Sequence, residues 1–309
     1  MKVVVFAYNI LGLIGLKSLL DAGFEVAALV THEDDPNEKI YFDSVGEFAK
    51  NKGISVFTPS SPNTPEIISI LNEIKPDAIF SFYYRQMISQ KILDIVNGKA
   101  YNLHGSLLPK YRGRCPINWA ILNGETEHGV TLHMMVKSAD AGDIVDMQSF
   151  PILETDNAGT VQPKMAEAAK ILLKRALPLI LNGKEQLKVQ DVSKSSYFGG
   201  RKAEDGKIDW NKTAWEINNL IRAVADPFPG AYTYLNGKKF IIWEAVFTEE
   251  KKAENFSNGQ IVSLSPLSIA ASSGELIIKK CQIEGDSIMS VDSFVKKYTL
   301  TLGSILKNQ

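Results

Sequence analysis

The chain has 309 residues, 45% of them hydrophobic and 22% charged; that length can bury a core without disulfides or metals to staple it. Lys and Arg number 34 against 35 Asp and Glu, a net charge of -1, which excludes a whole-protein basic field for holding nucleic acid or anionic lipid. The two cysteines, Cys115 and Cys281, are too few for a metal cluster of their own and suit a reducing, cytoplasmic compartment.

The opening MKVVVFAYNILGLIGLKSLL is apolar enough for a leader. Tyr8, Asn9 and Lys17 interrupt it and no small-residue cleavage site follows, so it predicts a first strand feeding a first helix. No window approaches the length of a membrane span, and no membrane insertion is expected. Strands are predicted at 2–7, 25–31, 55–58, 78–82 and 100–104, with helices at 11–22, 42–52, 65–74 and 89–95 between them. Such alternation specifies βαβ units: an α/β fold with a mostly parallel twisted sheet and helices on both faces. Strands at 129–136 and 144–150 follow, then a helix at 158–181 with apolar residues at three-and-four spacing. From 184 to 212 the texture turns polar, with Gly199, Gly200 and Gly206, and reads as a linker over the surface. A helix at 213–225 and short runs at 231–235, 239–247, 260–263, 268–271 and 275–282 predict a small β-barrel. The expected domains are therefore 1–200 and 201–309.

The densest chemistry lies in AYNLHGSLLPKYRGRCPINW, residues 100–119. A strand's two-residue period puts Asn102 and His104 on one face, at the carboxyl end where open parallel sheets place ligands. An imidazole there can exchange protons near neutral pH, and an amide beside it can donate to a developing oxyanion. The loop that follows is constrained by Gly105, Pro109, Gly113 and Pro116 and carries Lys110, Arg112 and Arg114, enough charge to grip an anion. Downstream, SADAGDIV at 138–145 sets Asp140 between two predicted strands. A carboxylate near an imidazole raises its pKa and fixes its tautomer. The residues alone leave two alternatives open: a buried, satisfied histidine with an incidental basic loop, and an Asx turn closed by Asp140 with Gly142 at the bend.

Other chemistries find less support. NILGLIG at 9–15 lacks the first glycine of a dinucleotide fingerprint, so Gly12 and Gly15 read first as packing glycines. There is no GxxxxGK[ST] phosphate loop and no G-x-S-x-G elbow. His32, His104, His128 and His133 lack metal-ligand spacing, and His128 and His133 fall on opposite strand faces, which predicts packed or solvated roles.

At NLHGSLLPKYRGRCPINW the sequence resembles the folate-dependent formyltransferases, whose hallmark is Asn-x-His, then Ser-Leu-Leu-Pro and a later Asp-containing loop. The similarity extends to VVFAYN at the start, FSFYYRQMI at 80–88, NGETEHGVTLH at 123–133, KSADAGDIV at 137–145 and RAVADPFPGAY at 222–232. It thus covers nearly the whole chain. The resemblance implies a Rossmann-like formyltransferase domain followed by a small OB-like β-barrel. It implies His104 as general acid/base, Asn102 as stabiliser of a tetrahedral intermediate, and Asp140 as the group that orients His104 and raises its pKa. It implies 10-formyltetrahydrofolate as formyl donor and no metal. The donor would contact Gln86, Met87 and Ile88, with Arg114, Val136, Lys137, Ser138, Ala139 and Asp140 completing its pocket.

The sequence also looks like the formyltransferase half of the bifunctional bacterial enzyme that modifies UDP-4-amino-4-deoxy-L-arabinose in lipid A modification and polymyxin resistance. That implies a UDP-linked amino sugar as acceptor. A diphosphate needs cations or aligned backbone donors; the expected groups are the helix start at Asn9 and Gly12, and Arg201 in the linker. A rival acceptor is tRNA, as in methionyl-tRNA formyltransferase. Where such enzymes carry a basic loop, THEDDPNEKI at 31–40 has Glu33, Asp34, Asp35 and Glu38 against Lys39, and four carboxylates repel a phosphate backbone. No nucleic-acid partner is expected. A non-catalytic sugar-nucleotide binding module is the remaining rival, and the intact Asn102, His104 and Asp140 set argues against it.

Overall fold

The computed structural model of the chain describes residues 1–34, 43–249 and 256–307. It divides into two units. One comprises Met1–Pro116, Glu127–Pro151 and Pro163–Gly199; the other comprises Ile117–Thr126, Ile152–Gln162 and Gly200–Gln309.

The first third of the chain runs β1 (Lys2–Ala7), α1 (Asn9–Asp21), β2 (Glu25–Val30), α2 (Val45–Asn51), β3 (Ser55–Phe57), α3 (Pro65–Ile74), β4 (Ala78–Phe82), α4 (Gln90–Ile95) and β5 (Ala100–His104). Then come β6 (Arg112–Gly113), α5 (Pro116–Leu122), β7 (Glu127–Met134), β8 (Ile144–Pro151), α6 (Ala158–Leu181) and β9 (Tyr197–Phe198). Seven strands form one sheet in the order β3-β2-β1-β4-β5-β7-β8. The first five are parallel, and β7 and β8 continue it antiparallel. The α/β alternation read from the sequence is thus present, with an antiparallel margin beside β5.

Strand parity explains how both faces are covered. Val4, Phe6 and Ile79 pack with Ile67 and Leu71 of α3 and with Ile92 and Leu93 of α4. The opposite parity, Ala7 and Phe82, receives α1. A Cβ on Gly12 would stand 3.2 Å from Ala7, and one on Gly15 would stand 2.3 Å from the Phe82 ring. The helix approaches this closely because both positions lack a side chain. Gly15→Ala is therefore expected to destabilise this unit by about 1–3 kcal/mol through overpacking, read as a lowered midpoint of urea unfolding. An unchanged midpoint would show that the Phe82 ring yields freely. Gly12 is buried and its N–H is already given to Tyr8 O at 3.1 Å. Its role is packing, and the expected donation to an acceptor diphosphate is corrected accordingly.

Two other expectations change. The helix expected over 42–52 starts at Val45, capped by Ser44, whose hydroxyl accepts from Glu47 N; residue 42 lies outside the described residues. Of the acidic stretch, Glu33 and Asp34 are exposed, while Asp35, Glu38 and Lys39 lie outside the described residues. The segment 184–199 runs largely exposed, as expected, but it is tied down. Lys188 exchanges backbone hydrogen bonds with Ile144, both at 2.8 Å, and β9 pairs in parallel with β6. Gln190 and Ser196 satisfy backbone groups of neighbouring loops, while most other residues of the segment stay exposed.

The second unit holds α7 (Ala214–Ala223), then β10 (Ala231–Leu235), β11 (Lys238–Thr248), β12 (Ile261–Leu264), β13 (Leu267–Ala270), β14 (Glu275–Ile283), β15 (Met289–Ser290) and α8 (Val291–Lys297). Thr213 and Glu216 form a capping box at the start of α7, satisfying donors the helix leaves unpaired. The strands pair in the order β10-β11-β14-β13-β12, with β15 on β14. The open margins are β10 and β12, and one segment closes both. Ile261 N donates to Ser304 O, Leu306 N donates to Gly259 O, and Lys307 and Tyr234 exchange both of their backbone hydrogen bonds. The antiparallel sheet thereby becomes a small barrel, as full closure removes exposed strand edges. Inside lie Ile217 and Ile221 of α7 with Phe240, Ile242, Leu276, Ile278 and Phe294.

A division at residue 200 misses two segments that join this unit. Asn118 Nδ2 donates to Ala223 O at 2.7 Å, and Arg222 Nη1 donates to Asp156 O at 2.9 Å. Among the described residues no helix is long and apolar enough to cross a membrane.

Candidate active site

The antiparallel register of β5 on β7 sets Asn102 opposite His133 and His104 opposite Thr131. Paired residues share a face, so the amide and imidazole read from the sequence gain a second imidazole. The loop after β5 is pinned by Thr131, whose hydroxyl donates to Ser106 O at 2.6 Å and accepts from Leu108 N at 3.1 Å. Ser106 Oγ donates to Lys110 O at 2.7 Å. These bonds bring the carbonyl of Tyr111 back to His104, whose Nε2 lies 2.8 Å from it. A carbonyl only accepts, so Nε2 carries the hydrogen and the neutral ring has its lone pair on Nδ1. That nitrogen faces Asp140 Oδ1 at 3.5 Å.

Asp140 reaches the cluster from a direction the sequence does not show. Because β7 runs against β5, its last residue, Met134, pairs with Tyr101 at the amino end of β5. The following loop then crosses the face on which Asn102 and His104 stand. Asp140 has φ +52°, a left-handed conformation that Asp tolerates better than most residues. Its Oδ2 accepts from Gly113 N at 2.9 Å. Its Oδ1 accepts from Asn102 Nδ2 at 3.4 Å and lies 3.5 Å from His133 Nε2. Gly142 allows the crossing, since a Cβ there would stand 2.0 Å from Met134 O.

His133 fixes the orientation of Asn102. Its Nδ1 lies 2.7 Å from Met134 O and so carries the hydrogen, leaving Nε2 to accept from Asn102 Nδ2 at 3.1 Å. Asn102 Nδ2 thus has two acceptors, His133 and Asp140. His133 was expected to be a packed or solvated residue; it is 1% exposed and belongs to the site. His128, on the other face, packs edge-on to Tyr111 and Phe150.

Burial dominates the electrostatics. It pushes the His104 pKa down, and the opposing pulls of Asp140 and the Tyr111 carbonyl do not restore it, so the net direction is below the ordinary 6.5. This corrects the expectation that Asp140 lifts His104 above a free imidazole: the carboxylate pulls upward, but desolvation of the cation is larger. At neutral pH the imidazole is mostly uncharged. Burial also pushes the Asp140 carboxyl up, but His104, His133 and the Gly113 amide together outweigh it and hold the group well below the usual carboxylate range.

The other expected residues stand as follows. Met87 is 57% exposed and Val136 44% exposed. Their loops are held: Met87 O accepts from Asn63 Nδ2 at 2.9 Å, Ser89 N donates to Asn63 Oδ1 at 2.8 Å, and Gln86 Nε2 donates to Ser60 O at 2.9 Å. Lys137 and Ser138 are exposed, as is Arg114, whose N donates to Phe198 O at 2.9 Å. Asn9, at φ +67°, turns its side-chain oxygen onto Ile10 N. In the second unit, the Arg201 guanidinium lies over the Trp119 ring at 4.8 Å and donates from Nη2 to Asp205 O at 2.9 Å. Among the described residues no group of three or more His, Cys, Asp or Glu is arranged to hold a metal ion.

An uncharged buried imidazole beside a carboxylate that favours its cation, and beside an amide, equips a protein to manage protons while a group passes between two substrates. Residues 1–177 match the formyl transferase family and residues 201–299 match the formyl transferase C-terminal domain; the chain belongs to the formyltransferase family. Among solved structures it is similar to WlaRD, a sugar 3N-formyl transferase crystallised with dTDP and 5-N-formyl-THF. That likeness has a TM-score of 0.70 and 24% identity over 93% of this chain and 99% of that one. The N-formyltransferase of Helicobacter canadensis, complexed with folinic acid and dTDP-3-aminofucose, is 25% identical with a TM-score of 0.67, over 90% of this chain and 98% of that one. A sugar N-formyltransferase from a Shewanella species is 21% identical with a TM-score of 0.62, over 78% and 96%. At 24% and 21% identity the likeness concerns the fold.

Proposed function

We propose that the chain transfers a formyl group from 10-formyltetrahydrofolate to the amine of a nucleotide-linked amino sugar. The observation that carries this reading is the cluster itself: His104 Nδ1 and Asn102 Nδ2 both lie within 3.5 Å of Asp140 Oδ1, on a chain of the formyltransferase family. The neutral amine attacks the formyl carbon, a C–N bond forms, and the carbonyl electrons move onto oxygen. Asn102 donates to that oxygen by exchanging one of its two held hydrogen bonds, as catalytic hydrogen bonds often realign once substrate is bound. The nitrogen that attacked becomes cationic and gives a proton to His104 Nδ1. Asp140 stabilises the imidazolium so formed, and His104 passes the proton to the folate nitrogen as the old C–N bond breaks. The donor is proposed to lie against Gln86, Met87, Ile88 and Arg114, with Val136, Lys137, Ser138, Ala139 and Asp140.

For the acceptor we infer UDP-4-amino-4-deoxy-L-arabinose, on the sequence resemblance; the dTDP-linked sugar in the Helicobacter canadensis complex supports the broader class. Incubation with the folate donor and a panel of UDP- and dTDP-amino sugars tests both statements. Formylation of the arabinose derivative is expected. Preference for a dTDP sugar would replace the acceptor, and no formylation of any amino sugar would overturn the reaction. Arg201, whose guanidinium lies over the Trp119 ring, is proposed to grip the acceptor diphosphate. Arg201→Ala is expected to raise the acceptor KM about tenfold, the loss of one charge-assisted hydrogen-bonded contact. Folate KM should be nearly unchanged. Equal losses for both substrates would place the diphosphate elsewhere.

A further inference from the structure

The strap formed by residues 185–198 runs beside the catalytic cluster, and one residue on it contacts both the loop that carries Asp140 and the loop that holds the Asp140 carboxylate. Gln190 is 6% exposed and uses its full hydrogen-bonding capacity. Its Nε2 donates to Asp140 O at 2.9 Å and to Gly142 O at 2.7 Å. Its Oε1 accepts from Arg112 Nε at 3.2 Å and from Arg112 Nη2 at 2.7 Å. A primary amide has two donors and two acceptor lone pairs, and all four are engaged. The next residue after Arg112 is Gly113, whose N–H holds the Asp140 carboxylate.

Gln190 therefore grips Asp140 twice: by the backbone of its left-handed turn, and through Arg112 beside the amide that binds its side chain. The strap is anchored on either side of this grip. Tyr101 Oη donates to Glu185 Oε1 at 2.9 Å. Tyr111 N donates to Ser196 Oγ at 2.9 Å, and the Phe198 ring stacks on Tyr111 at 5.2 Å. An uncharged amide suits this place. A carboxylate there would face two carbonyl oxygens, and a cation would face Arg112.

We propose that Gln190 is a positioning residue for the transfer reaction, holding the Asp140 carboxylate against His104 and Asn102 without itself touching substrate. This inference rests on the reaction proposed above for its kinetic readout, but not for its spectroscopic one. The charged and titratable groups that face His104 are Asp140 and His133; Arg112 is engaged by Gln190. If Asp140 is released, His104 loses the neighbour that favours its cation, and its titration moves to lower pH.

Two variants test this. Gln190→Met keeps the length and removes all four hydrogen bonds. Gln190→Glu keeps an acceptor for Arg112 but cannot donate to the Asp140 and Gly142 carbonyls. Both are expected to lower kcat at least about tenfold, the size of effect a misplaced acid–base group produces, with KM for either substrate changed less than about threefold. In NMR titration of the protein alone, the His104 imidazole should titrate at lower pH in both variants than in the wild type. If Gln190→Met fails to fold, Gln190→Glu carries the test, since its carboxylate is paired by Arg112. A titration and kcat unmoved in the folded variant would overturn the positioning role. So would recovery of both in Gln190→Glu, because the grip on Asp140 would then be dispensable. A moved titration in a protein that formylates no amino sugar would sustain the positioning role and refute the proposed reaction.

Discussion

His104→Ala is expected to lose at least a hundredfold or so in turnover, the range that removal of a general acid–base group produces, while remaining folded. The two consequences separate because the imidazole's neighbours are held independently of it. Asp140 keeps the Gly113 and Asn102 hydrogen bonds, and Tyr111 keeps the Ser196 hydroxyl at its N–H. What the variant lacks is a base beside the reacting nitrogen. Burial holds the His104 pKa below 6.5, so the neutral ring is already the major form at pH 7. The wild-type rate should be flat through the neutral range and fall only on the acid side of 6.5, where the imidazolium accumulates. The residual activity of His104→Ala should lack that acidic limb. A variant that keeps most of its activity, or keeps the limb, would remove His104 from the chemistry.

What could be read from the sequence follows from what each signal depends on. Strand β5 and the shared face of Asn102 and His104 need only a local period of two, and the structure reproduces both. The helix at Pro65–Ile74 is equally legible, and the structure caps it with Thr64, whose hydroxyl accepts from Ile67 N. His133 was missed because its role comes from strand register. Nothing local says that residue 133 lies opposite residue 102, and only an antiparallel neighbour makes it so. Gln190 was missed for a related reason. A polar stretch with glycines looks like a solvated linker, but polar side chains also satisfy buried carbonyls, and composition does not distinguish the two. The sign of the His104 shift is not in the sequence, which supplies the partner charge and hides the burial. The site's pairwise chemistry was therefore visible, while its third dimension, register and desolvation, was not.

Asp140→Asn should show which force sets the acid–base behaviour of His104. The amide keeps one oxygen and replaces the other by a donor. If the oxygen serves Gly113 N, the new NH2 faces the Asn102 amide, donor against donor, and one of those hydrogen bonds is lost. The charge is lost in either orientation. With burial still pushing the His104 pKa down and Asp140 no longer pulling it up, the pKa falls further, and the acidic limb of kcat/KM moves to lower pH. Turnover should fall about ten- to a hundredfold, since the imidazolium formed during transfer has lost its counter-ion, while Tyr111 O still fixes the tautomer. Stability gives a second readout. In the wild type, the unfolded chain protonates His104 near 6.5 and the folded chain only at lower pH, so this group costs stability as pH drops below 6.5. Asp140 has the opposite window: its depressed pKa contributes stability above the ordinary carboxylate value, lost as pH falls towards the folded value. Asp140→Asn removes that contribution and lengthens the acid-side loss from His104. The variant should therefore be less stable than wild type at neutral pH and lose further stability between pH 6.5 and the shifted His104 value. Thermal midpoints measured across that range, with the pH–rate profile, check both. A limb that stays in place would show that Asp140 exerts no field at His104, and would reduce the carboxylate to a tether for Gly113.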